Sequence, residues 1–175
     1  MPQHARRPSR PAAAQTPVPG AVVVATDGSC KPNPGPAGWA WYVDDSCWQA
    51  GAMARETNQV AELVAVAAVL RVLPVGVALH IRSDSQYAIN SATAWVPKWK
   101  ANGWRSSTGQ PVMNLGWVQE IDRALTDRRA PTTWEWVKGH AGDPMNEAAD
   151  LRCGAARMAF QAGRPIPKGP GWNGR

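Results

Sequence analysis

No apolar run in this chain is long enough to cross a membrane. The longest candidate, Val60 to Leu70, is interrupted by Glu62 and is about half the length a spanning helix needs. An apolar signal-peptide core is also missing. The first twenty residues carry Arg6, Arg7, Arg10 and several prolines instead, and those prolines would break the amphipathic helix of a transit peptide. Cysteine is scarce: Cys30, Cys47 and Cys153 are odd in number and lack metal-ligand spacing, so reduced thiols in a reducing compartment are expected. A soluble, cytoplasmic monomer is the expectation that follows.

Acids are missing from both ends. Residues 1–21 hold three arginines and residues 161–175 hold Arg164, Lys168 and Arg175, which accounts for the whole formal charge of +6. The part between balances to zero, so the basic character says little about the folded surface as a whole. Local distribution says more. No acid occurs between Asp84 and Glu120, whereas Lys98, Lys100 and Arg105 do, and that stretch is the expected polyanion-facing surface.

The 175 residues suit one domain with a single core. Pro/Ala/Arg-rich residues 1–20 and Gly/Pro-rich residues 162–175 read as flexible tails around a domain spanning 21–161. Ala21–Thr26 is a β-branched run suited to a buried strand, followed by a dense turn signal at Lys31–Pro36. Trp39–Val43 and Cys47–Met53 flank a polar break, which gives a three-stranded meander. Asn58–Val72 lacks Pro and Gly and reads as a helix capped by Thr57 or Asn58. Val77–Ile81 is a fourth strand, and a helix begins at Asp84 and runs through Asn90. Short helical pieces are expected over 93–113, a helix over Asn114–Asp127 and a fifth strand over Thr132–Val137, where Trp134 or Trp136 should be core. Asp143-Pro144 signals the start of a last helix reaching about Phe160. The order β-β-β-α-β-α-α-α-β-α predicts an α/β fold with a five-stranded mixed sheet and helices on both faces.

Four acids stand out. Asp27 follows an apolar strand, Glu62 shares a helix with Ala, Val and Leu, Asp84 lies just past another apolar strand, and Asp150 is one turn beyond Asn146. Each has an ordinary alternative: a turn cap for Asp27, an exposed helix flank for Glu62, an N-cap for Asp84, a solvated face for Asp150. If the strands of Asp27 and Asp84 are neighbours, their ends meet where open α/β sheets place ligands. Carboxylates crowded there would repel and raise one another's pKa values. A divalent cation removes that cost, and an all-oxygen set favours Mg2+ or Mn2+ over zinc, which points to phosphoryl transfer.

The residues also carry a resemblance. Thr26-Asp27-Gly28-Ser29-Cys30 with Asn33-Pro34-Gly35-Pro36, Thr57-Asn58-Gln59-x-x-Glu62, Ser83-Asp84-Ser85-Gln86-Tyr87, Trp134 to His140, and Asn146-Glu147-x-x-Asp150 together resemble the type 1 ribonuclease H family, in order from about Val22 to Met158. The resemblance implies hydrolysis of the RNA strand of RNA–DNA hybrids, with 5′-phosphate and 3′-hydroxyl products. It implies that Asp27, Glu62, Asp84 and Asp150 hold two Mg2+ ions, one acidifying a water and one stabilising the leaving 3′ oxygen. His140, set between Gly139 and Ala141-Gly142, would assist proton movement or product release. Cys30, Asn33, Asn58, Gln59 and Gln86 match positions around the RNA strand, whose 2′-OH both donates and accepts. Arg55, Thr57 and Asn114 match a pocket for a DNA phosphate, and Trp95 and Trp99 a groove that stacks on DNA sugars.

Two features depart from the family's usual pattern. Val60 and Ala61 stand where a basic and a larger apolar residue are expected, and the insert from Trp95 to Met113 is poor in lysine. Weak non-specific hybrid affinity with a shallow salt slope is therefore expected, with Arg6, Arg7 and Arg10 adding loose polyanion attraction. A non-catalytic binding module would have lost one of the acids. A transposase-like or junction-cutting relative would lack the hybrid-reading residues.

Overall fold

The computed structural model describes residues 13–175. The expectation about Arg6, Arg7 and Arg10 therefore lies outside the described residues. Five strands, β1 (Val22–Cys30), β2 (Gly35–Asp44), β3 (Cys47–Glu56), β4 (Leu79–Ser83) and β5 (Thr132–Trp136), form one sheet in the order β3-β2-β1-β4-β5. β1, β2 and β3 pair antiparallel as a meander, while β4 and β5 run parallel to β1. The helices are α1 (Asn58–Val72), α2 (Gln86–Ala92), α3 (Val96–Ala101), α4 (Leu115–Asp127) and α5 (Pro144–Gln161). The expected element order and mixed sheet are what the chain adopts.

Neighbouring residues on a strand face opposite sides, and β2 shows the consequence. Trp41 joins the main core with Leu63, Val66, Ile81, Val118 and Trp134, under α1 and α4. Ala40, one residue earlier, joins a smaller core with Ala50, Cys153 and Ala156, under α5. Ala, Val and Leu line nearly every side of α1 because it is packed between the sheet and α4. Thr57 accepts from the Val60 N–H at 3.2 Å and so starts that helix. Asp143 does the same for α5, accepting from the Asn146 N–H at 2.9 Å with Pro144 at the first helical position.

Four expectations need correction. β1 does not stop at Thr26 but runs on through Asp27 to Cys30, because β2 continues to pair with it through Cys30↔Ala37. The second helix starts at Gln86, with Ser85 as its cap, so Asp84 stands free of the helix at the end of β4. The end segment 162–175, expected as a flexible tail, is docked along the outer edge of β3. The Ala50 N–H donates to the Lys168 carbonyl at 3.0 Å, and the Gly171 N–H donates to the Trp48 carbonyl at 2.9 Å. Trp172 packs on the main core, Ile166 on the smaller one, and Arg175 pairs with Asp44. At the other edge, Gln15 exchanges hydrogen bonds of 3.0 and 2.9 Å with Trp134, so part of the first tail lies on β5. Three of these hydrogen bonds run from backbone to backbone, and such bonds leave no mark in composition.

Candidate active site

β1 and β4 pair only as far as Thr26↔Ser83. Beyond that point β1 continues alone on that side for four residues, which leaves a crevice at the end of the parallel pair. Asp27 is the first residue of the unpaired stretch and Asp84 the first after β4, so the two carboxylates arrive together. Glu62 reaches the same point from α1. Gly28 makes this possible: a Cβ there would collide with the backbone of Ala61 and Glu62, so the helix can only come this close to glycine. Gly38 on β2 does the same for α5, where a Cβ would strike the Cys153 carbonyl, and this lets Asp150 approach from the opposite face.

Each of Asp27, Glu62 and Asp84 has a carboxylate oxygen within 4.8 Å of the other two. Asp27 also forms a second group of that size with Asp150 and Cys153. Burial governs the electrostatics. Asp27 is 4 % exposed, and burial, reinforced by the Asp84 charge, pushes its carboxyl up to about 8. Burial also holds Glu62 well above the ordinary carboxylate range, with Asp27 and Asp84 adding to the effect. Asp84 is raised for the same first reason, against the lowering influence of Asn146. Three acids that resist ionisation at one point are an arrangement that a cation relieves.

The donors fit a hard divalent ion. All four candidate ligands are carboxylates, as Mg2+ or Mn2+ prefers, and Oε2 of Glu62 is buried with no hydrogen-bond partner in the protein. Such an orphaned acceptor is costly unless something positive faces it. Cys153, wholly buried, lies 3.8 Å from Asp27 Oδ2 and 3.7 Å from Ser29 Oγ, and burial raises its thiol pKa. It acts here as a small neutral neighbour. Gly139 abuts the cluster from the loop before α5, where a Cβ would come to 2.6 Å from Asp84 Oδ2.

The other expected residues are spread around the cluster. His140 is on the rim, 81 % exposed, with Nδ1 at 4.0 Å from Asp150 Oδ2 and a left-handed backbone of φ 54°. Cys30, Asn33 and Asn58 form a linked corner: the Cys30 N–H donates to Asn58 Oδ1 at 2.8 Å, and the Asn58 N–H donates to Asn33 Oδ1 at 3.2 Å. Cys30 takes part in this corner through its backbone. Its side chain is buried, with Sγ directed at the carbonyls of Pro32, Gly35 and Glu56, so the thiol shapes the 31–35 loop and cannot itself meet a ligand. Gln86 is half-buried at the start of α2, two residues from Asp84.

Gln59, Trp95 and Trp99 line a groove of about 1110 Å3, together with Tyr87, Lys98 and Arg105. The two tryptophan rings are 5.6 Å apart and tilted, and Tyr87 meets Trp95 edge-on. Trp99 also packs on the core, so it serves both as wall and as support. Asn114 precedes α4 with φ 56° and donates from Nδ2 to Tyr87 Oη at 2.8 Å. Arg55 is exposed near the end of β3 and Thr57 caps α1. Arg55, Thr57 and Asn114 do not hydrogen-bond one another among the described residues.

Asn146 and Cys153 were not among the expected site residues. Both were within reach of sequence reasoning, since they lie four residues before and three after Asp150 and so share its helix face. Asn146 is 2 % exposed, and its Nδ2 has no partner in the protein.

Comparison with known proteins agrees with this geometry. A profile described as RNase H matches residues 19–158. The ribonuclease H of Tropheryma whipplei (strain Twist) is 43 % identical over 155 residues, covering 88 % of this chain and 95 % of that protein. The ribonuclease HI of Streptomyces coelicolor is 41 % identical over 148 residues, covering 81 % of this chain and 63 % of that protein. Among solved structures, LC9-RNase H1, described as a type 1 RNase H with the type 2 active-site motif, superposes with a TM-score of 0.68. That pair shares 24 % identity over 89 % of this chain and 78 % of the other, a likeness of fold.

Proposed function

The chain belongs to the type 1 ribonuclease H family, a family of hydrolases, and from that premise we propose that it cuts the RNA strand of RNA–DNA hybrids using two divalent ions, leaving 5′-phosphate and 3′-hydroxyl ends. The observation that carries this reading is the convergence of Asp27, Glu62 and Asp84 at the end of β4, with Asp150 joining through Asp27. Mg2+ is the expected ion and Mn2+ its substitute. Bound there, the pair would supply an acidified water and charge stabilisation at the leaving 3′ oxygen.

The protein's own residues do the remaining work. The four carboxylates hold the cations. Burial of Asp27 and Glu62 keeps water from competing for their oxygens. His140, exposed and beside Asp150, takes up or delivers a proton at the product side and moves with its glycine-flanked loop. On the RNA strand, Asn33, Asn58, Gln59, Gln86 and the backbone at Cys30 test for the 2′-OH. On the DNA strand, Arg55, Thr57 and Asn114 hold a phosphate, while Trp95 and Trp99 stack on sugars along the groove. The chain acts as a monomer in the cytoplasm in this reading. No described helix is long and apolar enough to cross a membrane, and the three cysteines are free and buried.

A cleavage assay on RNA–DNA, RNA–RNA and DNA–DNA duplexes, with Mg2+ and EDTA arms, tests it. Cutting is expected only of the hybrid, only with the metal, and Asp27→Asn should lose all but a trace. Substantial Mg2+-dependent cutting by that variant would count against the role of the cluster.

A further inference from the structure

We propose that Arg82 is a positioning residue for the acid cluster: its ion pair with Asp143 ties the strand that delivers Asp84 to the helix that delivers Asp150. This rests on the functional reading above and adds to it a device that the four acids do not include.

The tie answers a geometric problem. α5 lies across β1, β2 and β3, whereas Asp84 directly follows β4, on the other side of β1. The helix and Asp84 must nonetheless be held in register, because Asn146 faces Asp84 from the first turn of α5 and Asp150 adds its charge one turn later. The loop that leads from β5 into α5, residues 137–143, contains two glycines and His140 in a left-handed conformation. Such a loop fixes little by itself.

Arg82 supplies the missing constraint. It stands on β4, two residues before Asp84. Its Nη2 donates to Asp143 Oδ2 at 2.6 Å and its Nε to Glu135 Oε2 at 3.1 Å. Glu135 is anchored in turn by His80, whose buried ring places Nε2 at 3.0 Å from the same oxygen and Nδ1 at 2.8 Å from Thr133 Oγ1. The guanidinium is thus held by the sheet on one side and reaches the loop on the other. Asp143 uses its remaining oxygen, Oδ1, to accept from the Asn146 N–H and cap α5. One carboxylate therefore both starts the helix and takes the strand's arginine. With side chains 22 % and 19 % exposed, the pair is shielded enough for a charge-assisted bond to hold its geometry.

A purely local role, capping α5, predicts something different, and the variants separate the two. Asp143→Asn keeps a good capping oxygen and gives up the charge. Arg82→Gln breaks the pair from the other side, and Arg82→Lys keeps the charge without the fork. On an RNA–DNA hybrid with Mg2+, each of Asp143→Asn and Arg82→Gln should lower kcat roughly tenfold and leave KM nearly unchanged, as expected of a misplaced site. The double variant should be no worse than either single one, and Arg82→Lys should recover most of the rate. Additive losses, no recovery by lysine, or unchanged kcat in both single variants would overturn the proposal. Hydrogen exchange at the amides of residues 146–150 in metal-free protein gives a second readout that does not depend on the substrate. Faster exchange is expected in both single variants, and wild-type rates would overturn the tie. A wild-type protein that leaves hybrids uncut would sink the functional reading and leave the exchange result to decide this one.

Discussion

At the scale of single residues, the site depends as much on glycines as on acids. Gly139 has no side chain because Asp84 occupies the space where one would be. A Cβ placed there sits 2.6 Å from Asp84 Oδ2, closer than real contacts allow, and the carboxylate is the part free to move. Gly139 does not require a left-handed backbone, so alanine at this position should fold. Gly139→Ala is expected to lower kcat by roughly one to two orders of magnitude, in line with an ångström-scale displacement of a catalytic group. Its thermal midpoint should stay within a few degrees of wild type. Hybrid cleavage kinetics beside a circular-dichroism melt make the comparison, and an unchanged kcat would mean that Asp84 tolerates the shift.

At the scale of elements, the readable parts were those where side chains dictate the backbone. Thr57 and the Asp143-Pro144 pair marked their helix starts because a capping oxygen and a proline at the first helical position leave few alternatives. The four acids were legible because each sits in a short motif at a strand end or on a helix face. The full length of β1 is hidden for the opposite reason. Thr26-Asp27-Gly28-Ser29 has the composition of a turn, yet it stays extended because β2 pairs with it residue by residue. Segment 162–175 is hard to place for a related reason: Gly/Pro-rich residues have the composition of a free tail, and the two backbone hydrogen bonds that seat it on β3 leave no mark in composition. This has a measurable consequence. Deleting 162–175 would uncover the β3 edge and strip Trp172 and Ile166 from their cores, costing about 2 kcal/mol or more by area alone. The thermal midpoint should fall by roughly 4 °C or more, and size-exclusion chromatography should show concentration-dependent association through the open edge. A truncated chain as stable and monodisperse as the full one would show the segment to be ornamental.

At the scale of the whole molecule, the acid cluster sets stability against function, and pH exposes the conflict. In the unfolded chain, Asp27, Glu62 and Asp84 titrate near the ordinary carboxylate values, while in the folded, metal-free protein all three are raised, Asp27 to about 8. The folded state therefore binds more protons than the unfolded state between these limits. Linkage then requires stability to fall as pH rises across that window. The stabilisation from protonated acids is complete below about pH 4 and is lost as Asp27 ionises near pH 8. A cation reverses the balance, since it binds the ionised cluster and only in the folded state. In EDTA, the thermal midpoint should drop steadily from pH 5 to pH 9 as other groups in the chain remain paired. With millimolar Mg2+ the drop should shrink at the alkaline end, where the ligands are charged. Asp27→Asn removes the most buried charge from the cluster, so it should be more stable than wild type in EDTA at pH 9 and gain little from Mg2+. Differential scanning calorimetry across pH, with and without metal, reads all of this. A wild-type midpoint that is flat with pH in EDTA would mean that the carboxylates are solvated and apart, and the cluster on which both the fold's crevice and its chemistry depend would not exist in solution.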